Sequence, residues 1–430
     1  MAQRLYWIAE EMNPPAGSRA GVITQMRRFG VSGFTLRIDW SGYYTASGVK
    51  NTGYKTNITT DIAALQAGSM DIVLDLAMQN TPAWLHTTYG DSSYLKNQFA
   101  HNFNPLRADG ATPGIDLGDA NIIFNPQVKA EVLQFMKDIG TDIGWSNFRY
   151  VRLGGGHFNE LGFPPTAPTV ASLGGLTASN ASAADTNCYW SWDINARAQL
   201  AAAYPQFAVG GISASWVPGQ NSPNNEASLF LTWHLNALRD FQNWQIAALR
   251  TAGYTGRIMM LYPGWGMRPP GGTDTNGDFN LAVATNLNNT SRGETSSEVQ
   301  MAHDWVRCIR SMTDPLVITY CTWADAGYLG DPGGTYNVNL PPAARNVSAT
   351  PYDWTPWHYI DVQGKALNPP LDTFGENTGG GMPTCISNCV AAARANNALG
   401  MGLISFTDFY ANGITGGTPT ANLTTLAATL

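Results

Sequence analysis

Short runs of apolar residues alternate with longer segments of helical periodicity along the whole chain. Eight runs of four or five residues predict β-strands: Leu5–Ile8, Phe34–Ile38, Ile72–Leu76, Tyr150–Leu153, Ile258–Tyr262, Leu316–Tyr320, Leu371–Phe374 and Leu403–Phe406. Several are almost entirely Val, Ile, Leu and Tyr, which is typical of parallel strands that are covered on both faces. A ninth run, Phe207–Ile212, is predicted to lie outside this set.

Between the runs, apolar residues recur with the 3.6-residue period of an α-helix. The clearest helical segments are Gln127–Ile139, Ile194–Ala203, Ser228–Leu249, Glu298–Ser311 and Val390–Asn397. Repeated β-then-α units indicate a parallel sheet, and eight of them in 430 residues predict an α/β fold of the (β/α)8 TIM-barrel type with long βα loops. No break in composition separates a second domain, so residues 1–430 are predicted to form a single domain, with an inserted helical loop region at about 161–255.

The loops after the strands are unusually long. Those at 77–128, 160–257 and 320–371 are the longest, and several of the fourteen tryptophans fall in them. In a barrel of this type, the loops after the carboxyl ends of the strands carry the chemistry. Flat aromatic rings at that end offer apolar surfaces on which a sugar ring stacks.

Charge is scarce and evenly spread. Charged residues make up 13% of the chain, the formal net charge is −7 and the pI is about 5.3. Without Lys/Arg clusters this composition argues against a nucleic acid or an anionic membrane as partner. The chain contains no run of 18 apolar residues, so no membrane span is predicted. Its amino terminus has no charged region followed by an apolar stretch, so no uncleaved signal peptide is predicted either. With only six lysines and many Asn, Ser, Thr and Gly, the surface is predicted to be that of a secreted or extracellular protein whose leader is absent from this chain.

Cofactor and metal signals are weak. Five cysteines are too few for a disulfide scaffold, and Cys385 and Cys389 are equally consistent with a local bridge or with buried thiols. The segment Asp274–Asp278 has the oxygen spacing that begins a calcium loop, but Thr285 stands where the bidentate Glu is needed. We therefore predict neither a cofactor nor a metal.

The sharpest local feature follows the fourth predicted strand. The strand ends in Gly154–Gly156, and Asn159 and Glu160 come next, between apolar residues. A carboxyl at the mouth of a barrel in such surroundings is partly desolvated, which raises its pKa and suits it to act as a general acid. We therefore predict Glu160 as a catalytic residue.

Glu376 has the same placement at the end of the seventh predicted strand, within Gly375-Glu376-Asn377. The alternative is that Asp372 and Glu376 only cap the next helix. Strand ends of a parallel barrel meet at one rim, so the two glutamates are predicted to face each other across it. Two opposed carboxylates are the minimal apparatus for hydrolysing a glycosidic bond.

This arrangement resembles the clan A glycoside hydrolases, in which an Asn-Glu pair ends the fourth strand and a second Glu ends the seventh. Gln79–Leu85, with its Pro-Ala-Trp-Leu sequence, is similar to a segment of the family 42 β-galactosidases. Segments similar to the β-amylases are Gly375–Asn377, Phe230–His234 and Val317–Thr322. The motifs follow the same order over about residues 70–410, and each is short.

The two resemblances imply different stereochemistry, since β-amylases invert and clan A enzymes retain. The acid segment of β-amylases lacks the Asn that stands here at Asn159, so retention is favoured and inversion is the alternative. By resemblance Glu160 is the acid/base, Glu376 is the nucleophile, and Asn159 hydrogen-bonds the sugar 2-hydroxyl. The spacing of the two carboxyl groups distinguishes the mechanisms.

Five further residues are candidates for substrate binding. Arg37 is expected either to keep the nucleophile ionised or to pair with Asp39. Tyr262, Trp265 and Trp323 follow the fifth and sixth strands and are candidate sugar contacts, with simple packing as the alternative. His157 either tunes the acid or fills the top of its strand.

The sequence thus predicts a glycoside hydrolase that cleaves a neutral oligo- or polysaccharide without a cofactor. A non-catalytic carbohydrate-binding barrel and a transglycosylase remain alternatives. The identity and anomer of the sugar, exo or endo action and the oligomeric state stay open.

Overall fold

The computed structural model describes residues 6–9, 19–28, 30–103, 105–107, 120–164, 176–178, 189–207, 218, 225–268, 279–280, 283, 296–324, 354–376 and 384–403. The predicted run at 208–212, the calcium-like segment at 274–278 and the Cys385 side chain lie outside this part of the chain. Cys389 is buried in the last described helix, and the bridge to Cys385 stays a prediction.

Parallel strands form a closed barrel. Its strands are β1 (Tyr6–Ala9), β2 (Gly33–Asp39), β5 (Asp71–Ala77), β7 (Tyr150–Leu153), β9 (Arg257–Tyr262), β10 (Val317–Cys321), β11 (Asp372–Glu376) and β12 (Gly400–Leu403). They pair in the order β1-β12-β11-β10-β9-β7-β5-β2, and pairing of β1 with β2 closes the ring. Two antiparallel pairs lie outside the barrel: β3 (Tyr44–Ala46) with β4 (Val49–Lys50), and β6 (Pro105–Arg107) with β8 (Leu176–Ala178). The predicted α/β barrel is confirmed.

Helices connect the strands. They are α1 (Arg19–Arg28), α2 (Trp40–Tyr43), α3 (Thr52–Ala67), α4 (Ala83–Tyr89), α5 (Pro126–Asp142), α6 (Ile194–Ala203), α7 (Glu226–Thr251), α8 (Ser296–Gln300), α9 (Trp305–Arg310), α10 (Pro356–Lys365) and α11 (Thr384–Ala395). α5 shows how the sequence sets such a helix: the Asn125 side chain accepts hydrogen bonds from the amides of Gln127 and Val128, and Pro126 stands at the first helical position.

Two predicted elements differ from the structure. The described part of the last barrel strand is Gly400–Leu403, which begins three residues before the apolar run predicted at Leu403–Phe406. Residues 404–406 of that run lie outside the described part of the chain. Gly400 and Gly402 have low strand propensity, but they pair with both neighbouring strands. The helix predicted at Glu298–Ser311 is two short helices. Ala302 between them has a φ of 62°, and the Asp304 side chain caps α9.

The inside of the barrel is filled by side chains from alternate strand positions. Among the described residues, its apolar part includes Val73, Tyr150, Met259, Leu261, Ile318, Tyr320 and Phe374. Tyr320 and Phe374 stack with ring centroids 5.4 Å apart and an interplanar angle of 9°. Burying such a side chain contributes roughly 1.5–3 kcal/mol. Two residues further along their strands, the next inward-facing positions are Asp75, Arg152 and Glu376. The interior of the barrel therefore changes from apolar to charged at its carboxyl-end rim.

Candidate active site

Glu160 is presented by a sharp turn after β7. Gly154 has no room for a side chain, since a Cβ there would lie 1.9 Å from the Asn159 carbonyl oxygen. A short 3₁₀ turn at His157–Asn159 follows, in which Phe158 and Asn159 both adopt the left-handed conformation, with φ of 53° and 61°. Two consecutive non-glycine residues in that region are rare and are held by their surroundings. The turn brings Glu160 back against the strand end.

The Glu160 carboxyl lies beside a cavity of about 260 Å³. Residues lining this cavity are His157, Glu160, Leu161, Gly162, Phe163, Pro263, Gly264, Glu298, Met301, His303 and Trp323. Burial raises the pKa of Glu160 to about 7, with a smaller contribution from the negative charge of Glu298. The Thr322 hydroxyl, which donates to Glu160 Oε1, and the Arg152 guanidinium act in the opposite direction. At neutral pH the carboxyl is therefore available in its protonated form.

Glu376 ends β11 in different surroundings. Its side chain is only 3% exposed, and its Oε2 accepts hydrogen bonds from Arg152 Nη2 at 3.1 Å and from the Tyr320 hydroxyl at 2.8 Å. A cation and a hydroxyl donor both favour the charged form of a buried carboxyl. The contacts of Glu376 thus favour its carboxylate form, whereas burial raises the pKa of Glu160 to about 7.

Strand β10 connects the two glutamates. Tyr320 donates to Glu376, and Thr322, two residues further along the chain, donates to Glu160. Residues two apart along an extended segment point to the same side, so both carboxyl groups lie at one rim of the barrel. The Ala324 amide also donates to the backbone carbonyl oxygen of Glu376, at 2.9 Å.

Asp75 belongs to a buried charged network that Arg152 connects to Glu376. Its Oδ2 accepts from Arg37 Nε at 2.8 Å and its Oδ1 from Asn159 Nδ2 at 2.6 Å, while Arg152 Nε lies 3.9 Å away. Burial opposes ionisation of Asp75, but the two guanidinium groups and the Asn159 amide outweigh it and hold the pKa below its usual range. Two cations and two carboxylates alternate here, so the buried charges compensate one another.

The residues predicted to assist the glutamates have different roles. Arg37 binds Asp75, and the cation that the structure places on Glu376 is Arg152. Asn159 is fully buried, its side-chain amide donates to Asp75 and accepts from the Gly155 backbone amide, and its contact with a sugar 2-hydroxyl stays a prediction. The amide instead fixes the turn on which Glu160 sits.

The aromatic candidates for sugar contacts differ in burial and in whether they line the cavity. Tyr262 is fully buried and donates to Gln242 on α7, so its side chain faces the helix layer, as the packing alternative requires. Trp265 lies against the guanidinium of Arg268 and is not among the cavity-lining residues. Trp323 and His157 both line the cavity, and the Trp323 side chain is 37% exposed.

Sequence reasoning missed Asp75, Arg152 and Thr322. A usable signal was present for the first two, because each interrupts an apolar strand. A charged residue in a strand covered on both faces must be paired, so it points to a buried network. Thr322 carried no such signal, since nothing in the sequence separates it from other post-strand threonines.

Comparison with solved structures shows which known proteins share this fold. The catalytic domain of β-amylase from Paenibacillus polymyxa superposes with a TM-score of 0.65 at 13% identity, over 100% of this chain and 98% of that one. A β-galactosidase from the psychrophilic Marinomonas ef1 gives 0.56 at 11% identity, over 99% of this chain and 58% of that one. A β-galactosidase from the Antarctic haloarchaeon Halorubrum lacusprofundi gives 0.52 at 12% identity, over 99% and 57%.

The fold is therefore that of glycoside hydrolase barrels, and the predicted resemblance to β-amylases and β-galactosidases is confirmed at the level of fold. A scan against protein-family models found no match, and neither did a search of curated protein sequences. Within the described ranges, no group of three or more His, Cys, Asp or Glu side chains is arranged to hold a metal ion. None of the helices in the described part of the chain is long and apolar enough to cross a membrane.

Proposed function

We propose that this protein is a glycoside hydrolase that cleaves a neutral oligo- or polysaccharide with Glu160 and Glu376. The observation that carries the proposal is the contrast between the two carboxyl groups at one rim. Glu160 has a pKa of about 7, whereas Glu376 is bound by Arg152 and Tyr320. Two carboxyls whose surroundings favour opposite protonation states are what acid catalysis paired with nucleophilic or base catalysis requires.

In the retaining mechanism that we favour, Glu160 donates its proton to the glycosidic oxygen while Glu376 attacks the anomeric carbon. The bond from that carbon to the leaving oxygen breaks, and a glycosyl ester on Glu376 forms. Glu160, now a carboxylate, takes a proton from water, and the resulting hydroxide oxygen displaces Glu376 from the anomeric carbon. Both glutamates return to their starting protonation states.

Inversion is the second candidate, with the same residues in other roles. Here Glu376 accepts a proton from a water that attacks the anomeric carbon directly, while Glu160 protonates the leaving oxygen. Asn159 is buried and donates to Asp75, so its predicted hydrogen bond to the sugar 2-hydroxyl adds no support for retention over this alternative.

A neutral substrate is supported by the composition of the cavity. Trp323 supplies exposed aromatic surface, and the described lining of the cavity contains no Lys or Arg that would pair with a uronate or a sulfate. We further propose that the protein acts outside the cell, on the basis of its low charge and its six lysines.

The test is hydrolysis of aryl α- and β-glycosides and neutral polysaccharides by the parent, Glu160→Gln and Glu376→Ala, with the first-formed anomer followed by NMR. We expect activity in the parent and a loss of about 10³-fold or more in both variants. A retained anomer supports Glu376 as nucleophile, and an inverted one makes it the base. A parent that binds glycans but hydrolyses none of them would instead indicate a carbohydrate-binding barrel.

A further inference from the structure

The cavity beside Glu160 contains a second carboxylate, Glu298 on α8. Its Oε2 accepts hydrogen bonds from His303 Nδ1 at 2.7 Å and from the Gly266 amide at 3.2 Å. Its Oε1 has no hydrogen-bond partner among the described residues. Gly264, another lining residue, leaves space for it: a Cβ at Gly264 would lie 2.9 Å from Oε1. One oxygen of Glu298 is thus anchored, and the other is available to a ligand.

His303 anchors this carboxyl. The ring is 2% exposed, and its Nε2, which faces Gly162, has no hydrogen-bond partner in the described part of the chain. Its hydrogen bond from Nδ1 to Glu298 Oε2 is therefore the one that positions the ring, and it holds Oε2 in place while leaving Oε1 toward the cavity.

The position of the cavity indicates which part of a substrate it receives. Glu160 lines the cavity, whereas Glu376 is not among the described lining residues and accepts hydrogen bonds from Arg152 and Tyr320. In either glycosidase mechanism the general acid stands on the side of the leaving oxygen, and the second carboxylate acts on the anomeric carbon. A cavity that contacts only the acid is therefore on the leaving-group side.

We propose that Glu298 binds the leaving-group sugar, with its carboxylate accepting hydrogen bonds from that sugar's hydroxyl groups. This inference rests on the proposed hydrolase function and extends it to substrate specificity. His303 acts as a positioning residue that holds Oε2. Trp323 covers an apolar face of the same sugar. The two carboxyl groups, without a described lining Lys or Arg, disfavour an anionic leaving group.

The test compares Glu298→Ala with the parent on two substrates that share one glycon: an aryl glycoside, whose leaving group lacks sugar hydroxyls, and a disaccharide. Assays at about pH 5.5 keep Glu160 protonated in both proteins. We expect kcat/KM to fall about 10-fold or more on the disaccharide and less than about 3-fold on the aryl glycoside. The inhibition constant of the free leaving-group sugar against aryl-glycoside turnover should rise by about 10-fold.

Matched variants isolate the carboxylate. Glu131→Gln, which alters a carboxyl on α5 that accepts from Tyr89, should leave both substrates and the inhibition constant unchanged. His303→Ala should lower disaccharide turnover selectively, and His303→Asn, which restores a donor near Nδ1, should recover most of it.

Equal losses on both substrates in Glu298→Ala, or no loss on either, would overturn this inference and leave the proposed hydrolase function standing. An unchanged inhibition constant would overturn it as well. A parent inactive on every glycoside would overturn the hydrolase function and, with it, the role of Glu298. The two failures are therefore distinguishable.

Discussion

Replacing Glu160 with Gln should stabilise the folded protein at neutral and alkaline pH. Burial raises the pKa of Glu160 to about 7, against an ordinary value of 4.5. Between these two pH values the folded chain binds the Glu160 proton and the unfolded chain releases it. The free energy of unfolding therefore falls as pH rises through this window.

The size of the effect follows from the difference between the two pKa values. One pKa unit corresponds to 1.36 kcal/mol, so a difference of about 2.5 units gives at most about 3.4 kcal/mol above pH 7. Because Glu160 is partly exposed at the cavity wall, we treat this figure as an upper bound. Gln has no proton to lose and keeps a neutral group in the same place, so the free energy of unfolding of Glu160→Gln does not fall over this pH range on account of residue 160.

The assay is urea unfolding of the parent and the variant, followed by tryptophan fluorescence from about pH 4 to pH 8. Groups common to both chains cancel in the difference between the two unfolding free energies. That difference should be constant below about pH 4.5 and should rise in favour of the variant up to pH 7 and slightly beyond. Glu131→Gln is the control and should show no comparable rise.

A difference that does not change with pH would refute the reasoning, because it would mean that Glu160 has the same proton affinity in the folded and unfolded chains. A difference that moves in favour of the parent as pH rises would mean that Thr322 and Arg152 outweigh burial. In that case Glu160 is ionised at neutral pH and is unsuited to the role of general acid.

Three further results are expected. Arg152→Met leaves the buried Asp75 and Glu376 carboxylates without a shared cation. Chemical denaturation should show the free energy of unfolding lowered by about 3–5 kcal/mol, and a loss below about 1 kcal/mol would contradict the network. Thr322→Val removes a donor that favours ionised Glu160, so the alkaline limb of the kcat/KM–pH profile should move to higher pH; a move to lower pH would contradict this assignment. Tyr262→Phe should cost about 1 kcal/mol of stability and change KM less than about 3-fold, whereas a large rise in KM would restore it as a sugar contact.

Local sequence patterns were enough to predict the barrel and the rim positions of the two glutamates. Apolar runs separated by helical periodicity are set by burial of residues close in the chain, and the strand ends of a parallel barrel fall at one rim regardless of loop detail. Glu160 and Glu376 could be selected because each stands within seven residues of the end of such a run, after one or more glycines. The glycine-containing start of the last strand, Gly400–Gly402, was not predicted because its pairing depends on strands distant in sequence.

Only the tertiary structure decided which side chains surround each glutamate. Arg152 reaches Glu376 across 224 residues of sequence, and Thr322 reaches Glu160 across 162. Contacts of this kind depend on the register of neighbouring strands and on side-chain direction, which no local pattern encodes. The same register buries Tyr262 and brings Glu298 into the cavity with Glu160. The sequence by itself determined where carboxyl groups stand, and the folded barrel determined their protonation, because pKa depends on burial and on charges that only folding brings together.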